Sequence, residues 1–150
     1  MKTQKLYQMR RNFFTGISML ALMFIVASCS TSESFLNSSV VPGATGKVKV
    51  KQDGNQNYVI NLEVKDIAAV ERLQSSKQMY VVWMQTENGN FENLGQLNTS
   101  TGFMSKQRTA SLETVSTFKP VRFFITAENE KNVRYPDQET ILTTAVFYKK

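Results

Sequence analysis

The chain contains no histidine and only one cysteine. Without histidine there is no Ser-His-Asp or Cys-His arrangement, no imidazole base near neutral pH and no imidazole-dependent metal site. A lone cysteine, Cys29, cannot close an intrachain disulfide, so the fold must rest on an apolar core. Long hydrophobic runs are absent as well. The longest apolar stretch, residues 13–27, is about 15 residues and is interrupted by Thr15, Gly16 and Ser18, whereas a membrane-spanning helix needs about 20. The chemistry that remains belongs to carboxylates, lysine, serine and tyrosine.

That short run is the middle of a three-part leader. Residues 1–12 carry Lys2, Lys5, Arg10 and Arg11 and no acid, and small residues close the segment. This layout is an export signal rather than a fold element. Val26-Ala27-Ser28-Cys29 resembles the bacterial lipobox, in which an aliphatic residue and two small ones precede a cysteine. The resemblance implies that residues 1–28 are a lipoprotein signal peptide, cut between Ser28 and Cys29. It further implies that Cys29 heads the mature chain with a diacylated sulfur and an acylated amine. The alternatives are a buried Cys29 acting as a small hydrophobe and an uncleaved anchor. Several acyl chains, at about 0.8 kcal/mol per buried CH₂, would hold the protein on a membrane. Lipid on Cys29 would also remove thiolate catalysis and zinc-thiolate sites.

The full chain has 18 Lys and Arg against 12 Asp and Glu, a formal +6. Four of those bases leave with residues 1–28, so the remainder carries 14 against 12 and is close to neutral. The basic balance therefore gives no reason to expect nucleic acid as a partner. Residues 29–46 are rich in Ser and Thr and contain the Pro42-Gly43 turn element, the composition of a lipidated tether. Phe35, Leu36, Val40 and Val41 could dock on the domain, which makes the first half the more disordered part.

From residue 47 the apolar period is two. Val48 and Val50 alternate with Lys47, Lys49 and Lys51, and after the turn "DGNQN" Tyr58, Ile60, Leu62 and Val64 alternate with polar neighbours. These are two strands of a hairpin. "DIAAVERL" suggests a short helical turn with Asp66 as its cap and Ile67, Val70 and Leu73 on one face. "QMYVVWMQTE" and "FENLGQLN" flank Asn88-Gly89, the strongest short hairpin signal. Further strands are expected at 107–115, at "VRFFITAE" and in "TILTTAVFYK". About seven short strands with turns between them and little helix predict an all-β fold for residues 47–150. The expected architecture is an antiparallel, immunoglobulin-like β-sandwich.

Two segments resemble the extracytoplasmic domain of anti-sigma-K-type regulators. The resemblance lies in Tyr80 and Trp83 of an aromatic-x-x-Trp strand, Gly89 in the turn, Leu94-Gly95-x-Leu97, and Glu128 before a loop with Pro136. It covers about 60 residues and implies a sandwich. Only about twelve residues precede the apolar run, too few for sigma-binding helices, and "NEKNVR" stands where the family has Gly-Gly. Anti-sigma activity is therefore not implied. The chain is also similar to small lipoproteins of the Bacteroidetes type, a likeness that brings no activity with it.

Several motifs carry a hint of chemistry. "STFK", Ser116 to Lys119, matches the Ser-x-x-Lys nucleophile pattern, which needs both side chains on one helical face. Pro120 pushes Lys119 toward extended backbone instead, and the companion Ser-Asp-Asn and Lys-Thr-Gly elements are missing. "DGNQN" begins like a calcium loop, but Tyr58 and Val64 stand where glycine and glutamate are required, so a turn is expected and no metal. Glu128, Glu130, Asp137 and Glu139 flank one loop, and Glu87 and Glu92 flank the Asn-Gly turn; paired carboxylates could serve glycosidic cleavage. Trp83, mid-strand, is expected in the core, and Trp83 and Glu128 are the candidate ligand contacts. "KVKVK" reads as a solvated strand edge that resists aggregation. No cofactor is expected. The sequence thus suggests a non-catalytic binding or interaction module, lipid-anchored in a Gram-negative-type envelope. Ser30 lacks the retention aspartate, which points to the outer membrane, and the lone Glu33 is a weak display signal, which points to its periplasmic face. An alternative is a carboxylate enzyme acting on envelope polymers; a structural envelope component is a third reading.

Overall fold

A computed structural model describes residues 30–73, 77–101 and 108–147. Among them are nine strands: β1 (Ser30–Ser34), β2 (Thr45–Gln52), β3 (Tyr58–Lys65), β4 (Met79–Thr86), β5 (Phe91–Gln96), β6 (Asn98–Thr101), β7 (Arg108–Ser116), β8 (Pro120–Glu128) and β9 (Thr140–Thr143). They form two antiparallel sheets, one ordered β1-β2-β3-β7-β6 and the other β5-β4-β8-β9. The fold is a β-sandwich. Its order has the immunoglobulin layout, with β2-β3-β7-β6 in the places of strands A-B-E-D and β4-β8-β9 in those of C-F-G.

The two-residue period decides which side chains enter the core. Val48, Val50, Ile60, Leu62 and Val64 point inward from the first sheet, against Tyr80, Val82, Met84, Phe123 and Ile125 of the second. Lys47, Lys49 and Lys51 point the other way. In β4 and β8 the apolar run is nearly continuous because both faces are covered. Val81, Trp83 and Phe124 face outward and form a second buried cluster with Met79 and Val133. Trp83 thus sits in the place of strand C but on the outer side of the sheet, away from the inter-sheet core that a strand-C tryptophan fills in antibody domains.

The turns are specified locally. Asp53 Oδ1 accepts hydrogen bonds from the backbone N–H groups of Asn55 (2.8 Å) and Asn57 (2.9 Å), and Oδ2 accepts one from Asn57 Nδ2 at 3.1 Å. These bonds, that of the Asn57 backbone N–H above all, hold the Asp53 carboxyl below its ordinary range. The β4–β5 loop is three residues, 87–89, closed by Gly89 N–H to Thr86 O and Thr86 N–H to Asn90 O at 2.9 Å each. Gly89 takes φ +81° and Asn88 does not take a positive φ, so it is not the two-residue turn that Asn-Gly signals. Ile67, Val70 and Leu73 are buried together around a 3-10 turn, Val70–Arg72. Its cap position is Ala69 rather than Asp66, which instead adopts φ 58°.

Four expectations are corrected. The strands are nine rather than about seven, the additions being β1 and β6. Gly95, at φ +118°, lies at the register shift where Asn93 pairs with Trp83 and Gly95 with Val82. β5 stays on β4 through Gln96, and buried Leu97 donates its N–H to Tyr80 O at 2.9 Å before the chain crosses to the first sheet as β6. The supposed tether belongs to the domain. Ser30 to Ser34 pair with Lys51 to Lys47, Phe35 is buried, and Ser38 Oγ donates to Ile141 O while accepting the N–H groups of Val40 and Val41. Threonine and alternating serine suit a polar edge strand once hydrophobic Phe35, Val41 and Ala44 pin its continuation. In consequence β2 is not an edge, because β1 covers it. Finally, β9 ends at Thr143, beyond which Thr144 bridges to Phe35; residues 148–150 lie outside the described ones.

Candidate functional site

The two candidate ligand contacts meet in one hydrogen-bonded chain. Trp83 Nε1 donates to Thr126 Oγ1 at 2.9 Å, and Thr126 Oγ1 donates to Glu128 Oε1 at 2.6 Å. The same carboxylate oxygen accepts the Asp137 backbone N–H at 2.8 Å. Asp137 in turn accepts Lys77 Nζ at 2.6 Å. That bond holds the Asp137 carboxyl below its ordinary range and raises Lys77 above its own. From the other side Asn93 Nδ2 donates to Lys131 O (3.1 Å) and Val133 O (3.0 Å). The connection between β8 and β9 is therefore clamped over the outer face of the second sheet. Trp83 lies flat under it, stacked on Phe124 with centroids 6.3 Å apart and planes 11° off parallel. Trp83 is fully buried and Glu128 is 5% exposed, so both are committed to the clamp and neither presents a surface to a ligand.

The Ser-x-x-Lys match is taken apart in the same way. Buried Ser116 closes β7, donates Oγ to Glu92 Oε2 at 2.8 Å and accepts the Phe118 N–H at 3.0 Å. Lys119 Nζ instead bonds Glu87 Oε2 at 2.9 Å, which raises its pKa. Each is occupied by a different glutamate, in a strand-to-strand connection and not on a helix. Tyr80 donates its hydroxyl to Ala68 O, and burial pushes its pKa up to about 12, well away from proton transfer at neutral pH. Among the described residues no group of three or more acids, cysteines or histidines is placed to hold a metal ion.

What stays open is the outer face of the first sheet. Register sets out its rows across the strands: Ser30, Lys51, Val59 and Val115; then Ser32, Lys49, Asn61 and Glu113; then Ser34, Lys47, Glu63 and Ser111. The second and third rows border a shallow trough of about 550 Å³. Glu63 and Glu113 are diagonal neighbours, about 7–8 Å apart by strand geometry with their Cβ atoms somewhat closer. Sequence reading missed this pair, since only the β3–β7 register brings the two strands together. Lys65 Nζ lies 3.4 Å from Glu63 Oε1 on this solvated face. Ser28 and Cys29 lie outside the described residues, one step before Ser30. Comparison of the chain with protein-family models, curated proteins and solved structures returned no match.

Proposed function

We propose that the protein is a lipid-anchored envelope lipoprotein whose β-sandwich is a non-catalytic binding or interaction module, with a protein of the envelope as its partner. The observation that carries this reading is the lipobox-like Val26-Ala27-Ser28-Cys29 at the end of a basic, short-apolar leader, directly before the first strand. Two features support the non-catalytic part. Ser116, Lys119, Glu87, Glu92, Glu128 and Asp137 each serve a hydrogen bond within the fold. The open surface is a polar sheet face of mixed charge, suited to contact with another macromolecule rather than to enclosing a small substrate. The proposed address is the outer membrane, on its periplasmic side, held by acyl chains on Cys29.

The test uses the full chain in cells. Cys29→Ser should stop processing and leave a precursor longer by the 28 leader residues. An exported form without the lipid should lose the effect of the protein, because anchoring supplies the local concentration on which a weak contact depends. Glu87→Gln and Glu92→Gln, which lie off the open sheet face, should each leave a deletion phenotype complemented. Loss of complementation by either one, with folding and membrane attachment intact, would overturn the reading in favour of an enzyme.

A further inference from the structure

We infer that the domain does not swing on a tether but rests on the bilayer, with the end of the sandwich from which Ser30 emerges as its contact surface. This rests on the lipid-anchor reading above and adds an orientation to it. Ser30 is already in the sheet, paired opposite Lys51. Cys29 is one residue away, a Cα–Cα step of about 3.8 Å. Acyl chains on Cys29 would therefore enter the membrane at the very end of β1. A flexible linker of 17 residues would have allowed any orientation; a strand leaves one end facing down.

That end is the apolar one. It gathers the turn at 53–57, the hairpin at 87–90 and the β7–β8 connection at 117–119, because Tyr58, Thr86, Ser116 and Pro120 bound those turns. Large exposed apolar side chains among the described residues number six: Leu36, Phe91, Val115, Phe118, Tyr135 and Val146. Four of the six sit here. Phe118, 53% exposed, is in the β7–β8 connection, and Val115, 56% exposed, is in the last row of the outer face with Ser30 and Lys51. Phe91 opens β5 just after the hairpin, and Val146 precedes Phe147, whose N–H bonds Val121 O near the start of β8. An exposed phenylalanine and valines beside a lipid attachment point are placed to sink into the headgroup boundary, as apolar side chains of peripheral anchors do. The charges at this end do not oppose that. Glu87 is paired with Lys119 and the Asp53 carboxylate is bonded within its own turn, while Lys51, opposite Ser30, has a stem long enough to keep its ammonium at headgroup level. Tyr135, 76% exposed, belongs to the clamped loop that follows the other end of β8 and should stay in water.

The test uses the mature, lipidated chain in vesicles of phosphatidylethanolamine and phosphatidylglycerol. Acylation occupies the one native thiol, so Phe118→Cys and Tyr135→Cys each accept a single fluorescent label. Quenching by nitroxide-bearing lipid should be at least threefold stronger at position 118 than at 135. Adding Val115→Glu and Val146→Glu to Phe118→Cys should cut the quenching at 118 by half or more, without moving the thermal midpoint of unfolding beyond a few degrees. Equal quenching at the two positions, or stronger quenching at 135, would overturn the orientation. So would a probe at 118 that is shielded from water-soluble quencher yet untouched by lipid quencher, which would mean a protein on that surface. Intact mass separates the two levels: an unacylated mature chain overturns the anchor itself, whereas an acylated chain with an unquenched 118 overturns the orientation alone.

Discussion

Thr126→Val isolates the hydrogen bonds of the clamp from its packing. The side chain keeps its branched shape, so almost no cavity forms, but one hydroxyl is lost that both accepts from Trp83 Nε1 and donates to Glu128 Oε1. The indole N–H then has no partner in a fully buried cluster, which costs about 1–3 kcal/mol for an unsatisfied buried donor. The Glu128 carboxylate loses a 2.6 Å bond but keeps the Asp137 N–H, and a charge-assisted bond contributes about 1.5–3 kcal/mol. The two terms share one atom and one relaxation, so a total of about 2–4 kcal/mol is expected rather than their full sum. Urea unfolding measures it, with Trp83, the only tryptophan, as the probe. The wild-type emission maximum should be that of a buried indole. In the variant, the Asp137 amide should exchange with solvent faster than amides of β3, because the loop is held less tightly. A loss below about 0.5 kcal/mol, the scale of an ordinary surface change, would refute the clamp. So would unchanged exchange at Asp137.

Trp83→Ala should cost about 3–5 kcal/mol, since it removes a whole side chain from a packed cluster, and should loosen the same loop by exchange. Gly46→Ala should destabilise by about 1–3 kcal/mol, because an added Cβ would lie 2.8 Å from Glu63 O and 3.0 Å from Phe35 Cδ2; unfolding midpoints in urea would show it. The Lys77–Asp137 pair should make the loop pH-sensitive at both extremes. Asp137 is more acidic folded than unfolded, so its contribution is whole above the ordinary aspartate range and fades as pH falls through the lowered folded pKa. Lys77 is more basic folded, so its share is whole below its ordinary range and fades as pH rises through the raised value. Asp137→Asn should flatten both limbs of the loop-exchange profile. A profile unchanged by that substitution would remove the pair from the account.

The sequence was most legible where one face of a strand is wet. Val48 and Val50 against three lysines, and Ile60, Leu62 and Val64 against polar neighbours, named their own inward faces, and Asp53 and Asn88-Gly89 named the turns between strands. It was least legible where the signal was composition instead of period. The Ser/Thr segment at 30–34 has too little apolar content to announce a strand, and its order comes from a ladder to β2 and from Phe35, Val41 and Ala44 further on. Asn98 to Thr101 is hidden for the same reason, an edge strand with polar side chains alone. Trp83 was correctly placed inside, yet a dense run such as "YVVWM" does not say which face is covered by a sheet and which by a loop. Asn93, the second hand of the clamp, carries no local mark at all, because its partners are carbonyls about 40 residues away.

The ordering of residues 30–46 matters more than an added strand suggests. A lipobox followed by a soft serine-rich stretch implies a domain that explores a hemisphere above the membrane, meeting partners from any side. With β1 locked to β2 from its first described residue, the proposed anchor on Cys29 would give every face of the sandwich a fixed height and tilt relative to it. The rows of the open sheet face then have different neighbours. Lys51, Val59 and Val115 lie in the row level with Ser30, while Lys47, Glu63 and Ser111 lie four residues along the strands, about 13 Å further out at the rise of an antiparallel strand. On the proposed anchor and orientation, the trough bordered by Lys49, Asn61, Glu113, Lys47 and Glu63 would stand above the headgroups and face sideways. The clamp on the opposite sheet has a matching consequence. By fixing residues 129–138 against Trp83, it covers the outer face of the second sheet with the loop and leaves the outer face of the first as the extended open surface among the described residues. Strand pairing and clamp thus leave one sheet face open, and under the proposed anchor the contact chemistry it would offer is alternating lysine, amide and carboxylate rather than an apolar patch.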